Sequence, residues 1–213
     1  MFEMYQKSNL ELEVEKKYKE NDLLTPSDLE FKNVTKRFNI KVRYNNGPDR
    51  AIWDDDLEVY MIFMKPFYSL KEKREILFHE LCHILRHYGN QELIKTNSWK
   101  DFQEEDAHNF QVYAAMPFYM IEQLEDLPNS EFELIERLSV VFNVPLTLAT
   151  KRVKQITRRI KQGELDKQFV ELVNNEKVFN YCKNIEPRKF SKAAEDMMAL
   201  AIQMKLAKKG VSV

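Results

Sequence analysis

The stretch from Ser69 to Gly89, SLKEKREILFHELCHILRHYG, limits this chain more than any other. Ser69 with Glu72 reads as a capping box opening one long helix, and Gly89 stands where its C-terminus would close. Ile76, Leu77, Leu81, Ile84 and Leu85 are its apolar companions. Within it, His79 and His83 lie four residues apart, one turn apart on one face. Two imidazoles so placed can converge on a single zinc ion at about 2.0–2.1 Å. Glu80 stands about 100° round the helix from His79. It can therefore approach a water at the metal without taking a coordination position, which is the geometric logic of H-E-x-x-H. Burying two imidazoles without a ligand is costly, so the helix predicts a metal centre rather than a plain core segment.

A catalytic zinc needs a third protein ligand and one open position. The helix predicted over residues 101–116, ended by Pro117, offers Glu104, Glu105 and Asp106. Ala107, Phe110 and Ala114 mark its inward face. Glu104 precedes Ala107 by three and His108 by four and looks into the same region. Glu105 sits one step round, towards solvent. Asp106 is the alternative ligand. Cys82 lies between the histidines on the far side of the turn and reads as a small buried hydrophobe. His87 sits about 12 Å of rise above His79, too far for the same ion while the helix continues. A hydrogen-bonding neighbour or a surface histidine is the reading there.

The rest of the chain predicts an α+β fold, mostly helical. Residues 8–22 read as an exposed helix, an appendage. Residues 27–38 read as a helix opened by a Ser27–Glu30 capping box. Alternation and β-branched or aromatic content mark strands at 40–45, 51–54 and 58–65, joined by turns into a small three-stranded antiparallel sheet. The last of them is either an interior strand or an edge open to an extended peptide. Ser130 with Glu133 opens a further helix. After a break at Asn143-Val144-Pro145 comes a helix made basic by Lys151, Arg152, Lys154, Arg158, Arg159 and Lys161. A DNA-reading helix is conceivable there, but flanking acidic residues favour a solvated face. Residues 165–213 read as two more helices around Pro187, the second with an apolar face that includes Phe190, Met197 and Ile202.

The 213 residues suffice for one well-cored domain with additions. A net charge of −1 gives no argument for nucleic acid or an acidic membrane as partner. No apolar run approaches the roughly 18 residues of a membrane span. The first 22 residues lack an apolar segment of the secretory kind, and two distant cysteines, Cys82 and Cys182, fit a reducing cytoplasm.

The run HELCHILRH, a spacer, then E-x-D-A-H-x-F-x-x-x-A-A-M-P resembles the ImmA/IrrE family of metallopeptidases, over roughly residues 27–160. The resemblance implies a zincin-like core holding one zinc ion by His79, His83 and Glu104, with Glu80 as general base. It implies a helix-turn-helix-like segment after the core. It also implies a protein substrate, a DNA-binding repressor of a prophage or mobile element. The layout that follows is an appendage at 1–26, a core at 27–125, the helical segment at 126–164 and an extension at 165–213. His108 stands where related zinc peptidases carry an Asp or Asn supporting a ligand histidine, and Gln111 and Val112 replace two alanines. His108, Tyr113 and Tyr88 are the candidate oxyanion donors or supports. The alternatives to a repressor-cleaving peptidase are an antirepressor that sequesters its target without cutting it, and a transcription factor using the basic helix. Direct DNA binding is not expected.

Overall fold

The computed structural model describes residues 2–54, 56–87, 97–128, 130–174 and 192. The chain divides into two compact units, Met1–Leu165 and Asp166–Val213. Most of the second, with Cys182 and the apolar face expected around Phe190, lies outside the described residues, as do Tyr88 and Gly89.

Helix α1 (Asn9–Glu20) starts where the Ser8 hydroxyl accepts from the Glu11 amide. It is not the exposed appendage expected from its charge. Val14 and Tyr18 are buried, the Tyr18 hydroxyl donates to the Ala114 carbonyl at 3.0 Å, and Glu11 is buried too. A 3-10 turn at Pro26–Leu29 follows, then α2 (Phe31–Arg37). The capping box belongs to Thr25 and Asp28, two residues earlier than expected. Pro26 needs no amide hydrogen bond and takes the first position of the turn, which moves the cap upstream.

Strands β1 (Ile40–Tyr44), β2 (Arg50–Asp54) and β3 (Val59–Met64) form one sheet in the order β1-β3-β2. β2 pairs antiparallel with β3, Ala51 facing Ile62, whereas β1 pairs parallel with it, Val42 facing Ile62. The sheet is therefore mixed, not antiparallel. β3 is central, so the edge reading of residues 58–65 is excluded; the edges are β1 and β2.

Helix α3 (Leu70–Arg86) carries the Ser69–Glu72 capping box as expected. It ends at Arg86, not at Gly89, because His87 leaves the helix with φ −102° and ψ 134°. Helix α4 (Asn97–Ala115) packs along α3 and against α1. Pro117 begins the short α5 (Phe118–Glu122). Then come α6 (Glu131–Val141) and α7 (Leu146–Asn174), separated by Asn143 at φ 47°. The core gathers Leu77, Phe78 and Leu81 of α3, Phe110 and Ala114 of α4, Ile62 and Met64 of β3, and Leu148, Val153 and Ile156 of α7. Arg152 of the basic helix belongs to this interior. It is 0% exposed, pairs with Glu11, and donates to the Met116 carbonyl at 2.9 Å and Gln155 Oε1 at 2.7 Å. Gly163 of α7 is required by close approach, since a Cβ there would meet the Met4 carbonyl oxygen at 2.1 Å.

Candidate metal centre

The α3/α4 packing brings three donors together. His79 Nε2 lies 3.2 Å from Glu104 Oε2, His83 Nε2 lies 3.4 Å from His79 Nε2, and His83 Nε2 lies 3.8 Å from Glu104 Oε1. Three atoms each ~2.1 Å from one tetrahedral ion lie about 3.4 Å from one another. The spacings fit such an ion before any is added. So do the protonation states. Burial holds His79 below its ordinary value, and burial with the adjacent His79 ring pushes His83 down to about 3. Both are then neutral near pH 7, the form that ligates.

Glu80 is buried and sits under the edge of the sheet. The Ala51 amide of β2 donates to its carboxylate. Burial pushes the Glu80 carboxyl up to about 8, the neighbouring Glu104 carboxylate adding to the effect and the Ala51 amide opposing it. A cation between the histidines and Glu104 acts in the opposite direction.

Asp106 does not join this group. Its Oδ2 accepts from Arg86 Nε at 2.8 Å and lies 3.2 Å from His87 Nε2, and Arg86 in turn pairs with Glu13 of α1. Burial would raise Asp106, but the bonds from Arg86 and His87 outweigh it and keep the carboxyl below its usual range. Cys82, His87 and Asp106 also cluster. Arg86 already supplies the positive charge there, and burial beside Asp106 pushes the Cys82 thiol up, so a second cation is opposed.

His87 is a hydrogen-bonding neighbour of the site, the first of the two readings its sequence position offered, and not a surface histidine. Having left the helix, its Nδ1 lies 2.8 Å from Nδ1 of His83. One assignment of protons satisfies the whole row: His87 Nε2–H donates to Asp106, His83 Nδ1–H donates to His87 Nδ1, and the lone pair of His83 Nε2 faces Glu104 and His79. The spacing of His87 four residues after His83 was the available signal. His108 takes another part. It is exposed, with its ring centroid 4.8 Å from that of His79. It lines a cavity of about 530 Å³ with Lys151, Lys154 and Arg158 of α7. Tyr113 is a core aromatic, the Arg152 guanidinium 5.0 Å from its ring centroid. Gln111 ties α4 to α3: it is buried and donates to the Glu75 carbonyl at 2.8 Å.

Residues 35–154 match the family model Peptidase_M78, described as the IrrE N-terminal-like domain. The chain is similar to the phage-like element PBSX protein XkdA of Bacillus subtilis (strain 168), 26% identical over 170 residues, 80% of this chain and 84% of that one. It is also similar to a second protein of that strain, "Uncharacterized protein YqaB", 25% identical over 158 residues, 74% of this chain and 90% of the other. No solved structure matches. No helix among the described residues is long and apolar enough to cross a membrane.

Proposed function

The chain belongs to the Peptidase_M78 family of IrrE N-terminal-like domains, and from that premise we propose that it is a zinc-dependent endopeptidase that cuts a regulatory protein, a DNA-binding repressor of a prophage or mobile element. The observation that carries the reading is the trio His79, His83 and Glu104, at separations suited to one tetrahedral ion, beside the buried Glu80. Bound there, zinc supplies a Lewis acid that polarises a peptide carbonyl and makes water a nucleophile near neutral pH. Glu80 takes the proton of the attacking water and passes it to the nitrogen of the leaving amine. His108, exposed beside His79, donates to the developing oxyanion. An extended substrate adds to edge strand β2, whose Ala51 amide already touches Glu80. The cations beside His108 suit an acidic residue next to the cut. The similarity to a protein of a phage-like element favours a mobile-element repressor as the target.

The test is co-expression with candidate repressors and mass spectrometry of the products, alongside metal analysis. We expect one zinc per chain and a defined cut. Glu80→Gln should keep zinc and fold and lower cleavage by about 10²–10⁴-fold. Full repressor inactivation by Glu80→Gln, with no cut by either form, would replace the peptidase by the sequestering antirepressor.

A further inference from the structure

Helix α7 carries three cations along one side. Lys151, Lys154 and Arg158 are exposed and follow one another at spacings of three and four residues, which stacks them on one face, where like charges repel. None of the ion pairs among the described residues includes any of the three. The acidic residues that flank α7 in sequence therefore do not pair with them. Gln155, which shares the face, is taken by Arg152 at 2.7 Å. Glu75 of α3 feels Lys151 without pairing with it; burial lifts its carboxyl and Lys151 opposes the lift. Solvation alone can keep three cations on a convex surface, so their number is not the informative point. Their position is.

With His108 and Val112 of α4 they line the cavity of about 530 Å³, and among the described residues no carboxylate lines it. His108 joins this cavity to the metal centre, its ring centroid 4.8 Å from that of His79. A side chain seated among the cations therefore belongs to a residue close to the bond that the metal centre would address. The wall is held in place from behind. Arg152 and Val153, between Lys151 and Lys154, are buried, and Arg152 is fixed by Glu11 and the Met116 carbonyl. Charges already in position cost less to use than charges that must be gathered on binding. The spacing is informative as well. Lys154 and Arg158 are separated by about 6 Å of helix rise. Alternate residues of an extended peptide point the same way and stand about 6.6–6.8 Å apart. Lys151 already acts on Glu75, which leaves Lys154 and Arg158, two cations for two carboxylates.

We propose that this cavity selects the substrate by charge: it takes two acidic side chains from alternate positions of an extended protein segment, in the pattern acidic-x-acidic, beside the bond to be cut. Lys154 and Arg158 meet one carboxylate each, and Lys151 adds to the field that draws them in. The inference deepens the peptidase reading and rests on it for the identity of the segment as substrate.

The full-length, zinc-loaded Glu80→Gln protein, which should hold a peptide uncut, is titrated calorimetrically with acetyl-Ala-Glu-Ala-Glu-Ala-amide and with the same peptide carrying one or two Gln in place of Glu. The double-Glu peptide should bind at least tenfold more tightly than the double-Gln form, with the single-Glu form between them. Lys154→Gln with Arg158→Gln should weaken the double-Glu peptide at least tenfold at unchanged zinc content and Tm, since both side chains are exposed. Lys154→Glu with Arg158→Glu should reverse the preference, towards a peptide with two Lys. In parallel, the wild type digests a peptide library made from a bacterial proteome. Its cuts should gather beside acidic-x-acidic pairs, and the charge-reversed form should move them to basic ones. No binding, equal binding of the Glu and Gln peptides, a single-Glu peptide as tight as the double, or binding that survives in the Gln variant overturns the proposal. So does displacement of the peptide by duplex DNA, which would make this a nucleic-acid face. Cuts without charge preference overturn it too, and leave the peptidase reading standing. Binding as expected with no cut anywhere in the library ends the peptidase reading and supports the cavity as a site for an acidic protein segment.

Discussion

Both nitrogens of His83 have work to do, and this sets the character of the site. The Nδ1 side is fixed by His87, which is fixed by Asp106, which is held by Arg86. The Nε2 side faces His79 and Glu104. An imidazole locked in one tautomer loses little freedom on ligation, and an anion two bonds away raises its basicity. His87→Ala should therefore lower zinc affinity by about 10–100-fold with the fold intact, read by competition with a chelator. His108→Ala should leave zinc affinity unchanged while slowing cleavage. Equal affinity of His87→Ala and wild type would reduce the row to packing. His79, Glu80 and His83 were legible in the sequence because helical periodicity alone puts them together. Glu104 was legible from its register with Ala107. His87 was not, because its role depends on α3 stopping at Arg86, three residues before the glycine that looked like the terminus. Asp106 was read as a spare ligand because nothing local announces that Arg86, twenty residues earlier, claims it.

Among the elements, α1 departs furthest from its sequence. Its charged residues spell an exposed helix, yet it is anchored through Val14 and Tyr18 and through Glu11, whose carboxylate meets Arg152 of α7 in the interior. Removing one member of a buried pair leaves the other uncompensated, so Glu11→Ala should cost about 3–5 kcal/mol in urea denaturation. A loss below about 1 kcal/mol would show the pair to be dispensable. The solvent side of α1 gives a pH prediction. Partial burial would raise Glu15, but hydrogen bonds from Lys19 at 2.6 Å and Lys7 at 2.7 Å outweigh it and hold its carboxyl down. A depressed folded pKa means that the stability Glu15 contributes is fully present above the ordinary Glu range of about 4.3, and is lost as pH falls through the lower folded value. Glu15→Gln should remove that share of the acid sensitivity; an unaltered acid limb of the Tm–pH curve would refute it. The sheet shows a different limit. The alternation in 40–45, 51–54 and 58–65 identifies strands, but the same alternation serves parallel and antiparallel neighbours. Two strands joined by a short turn invite a hairpin, and β1 and β2 are instead parted by β3.

At the scale of the molecule, charge gives no argument for nucleic acid as a partner. The net charge is −1, and Arg152, one of the cations that made α7 look basic, is spent inside. Duplex DNA should bind weakly, with little of the salt dependence of roughly −0.9 per neutralised phosphate. Tight, salt-sensitive binding abolished by Arg158→Ala with Arg159→Ala would contradict this and favour a transcription factor. The Glu11–Arg152 bond, joining positions 141 apart in sequence, also has a consequence in time. A ribosome delivers His79, His83 and Glu104 well before it delivers Arg152. At ~5–20 residues per second, the interval between Glu104 and Arg152 is about 2–10 s. Through those seconds the nascent chain holds every proposed ligand while its first helix lacks the cation that seats it. The Glu11–Arg152 pair can form only after Arg152 has emerged, so the seating of α1 comes late in synthesis. Nascent chains stalled short of Arg152 should remain open to an added protease, and those stalled well beyond it should resist.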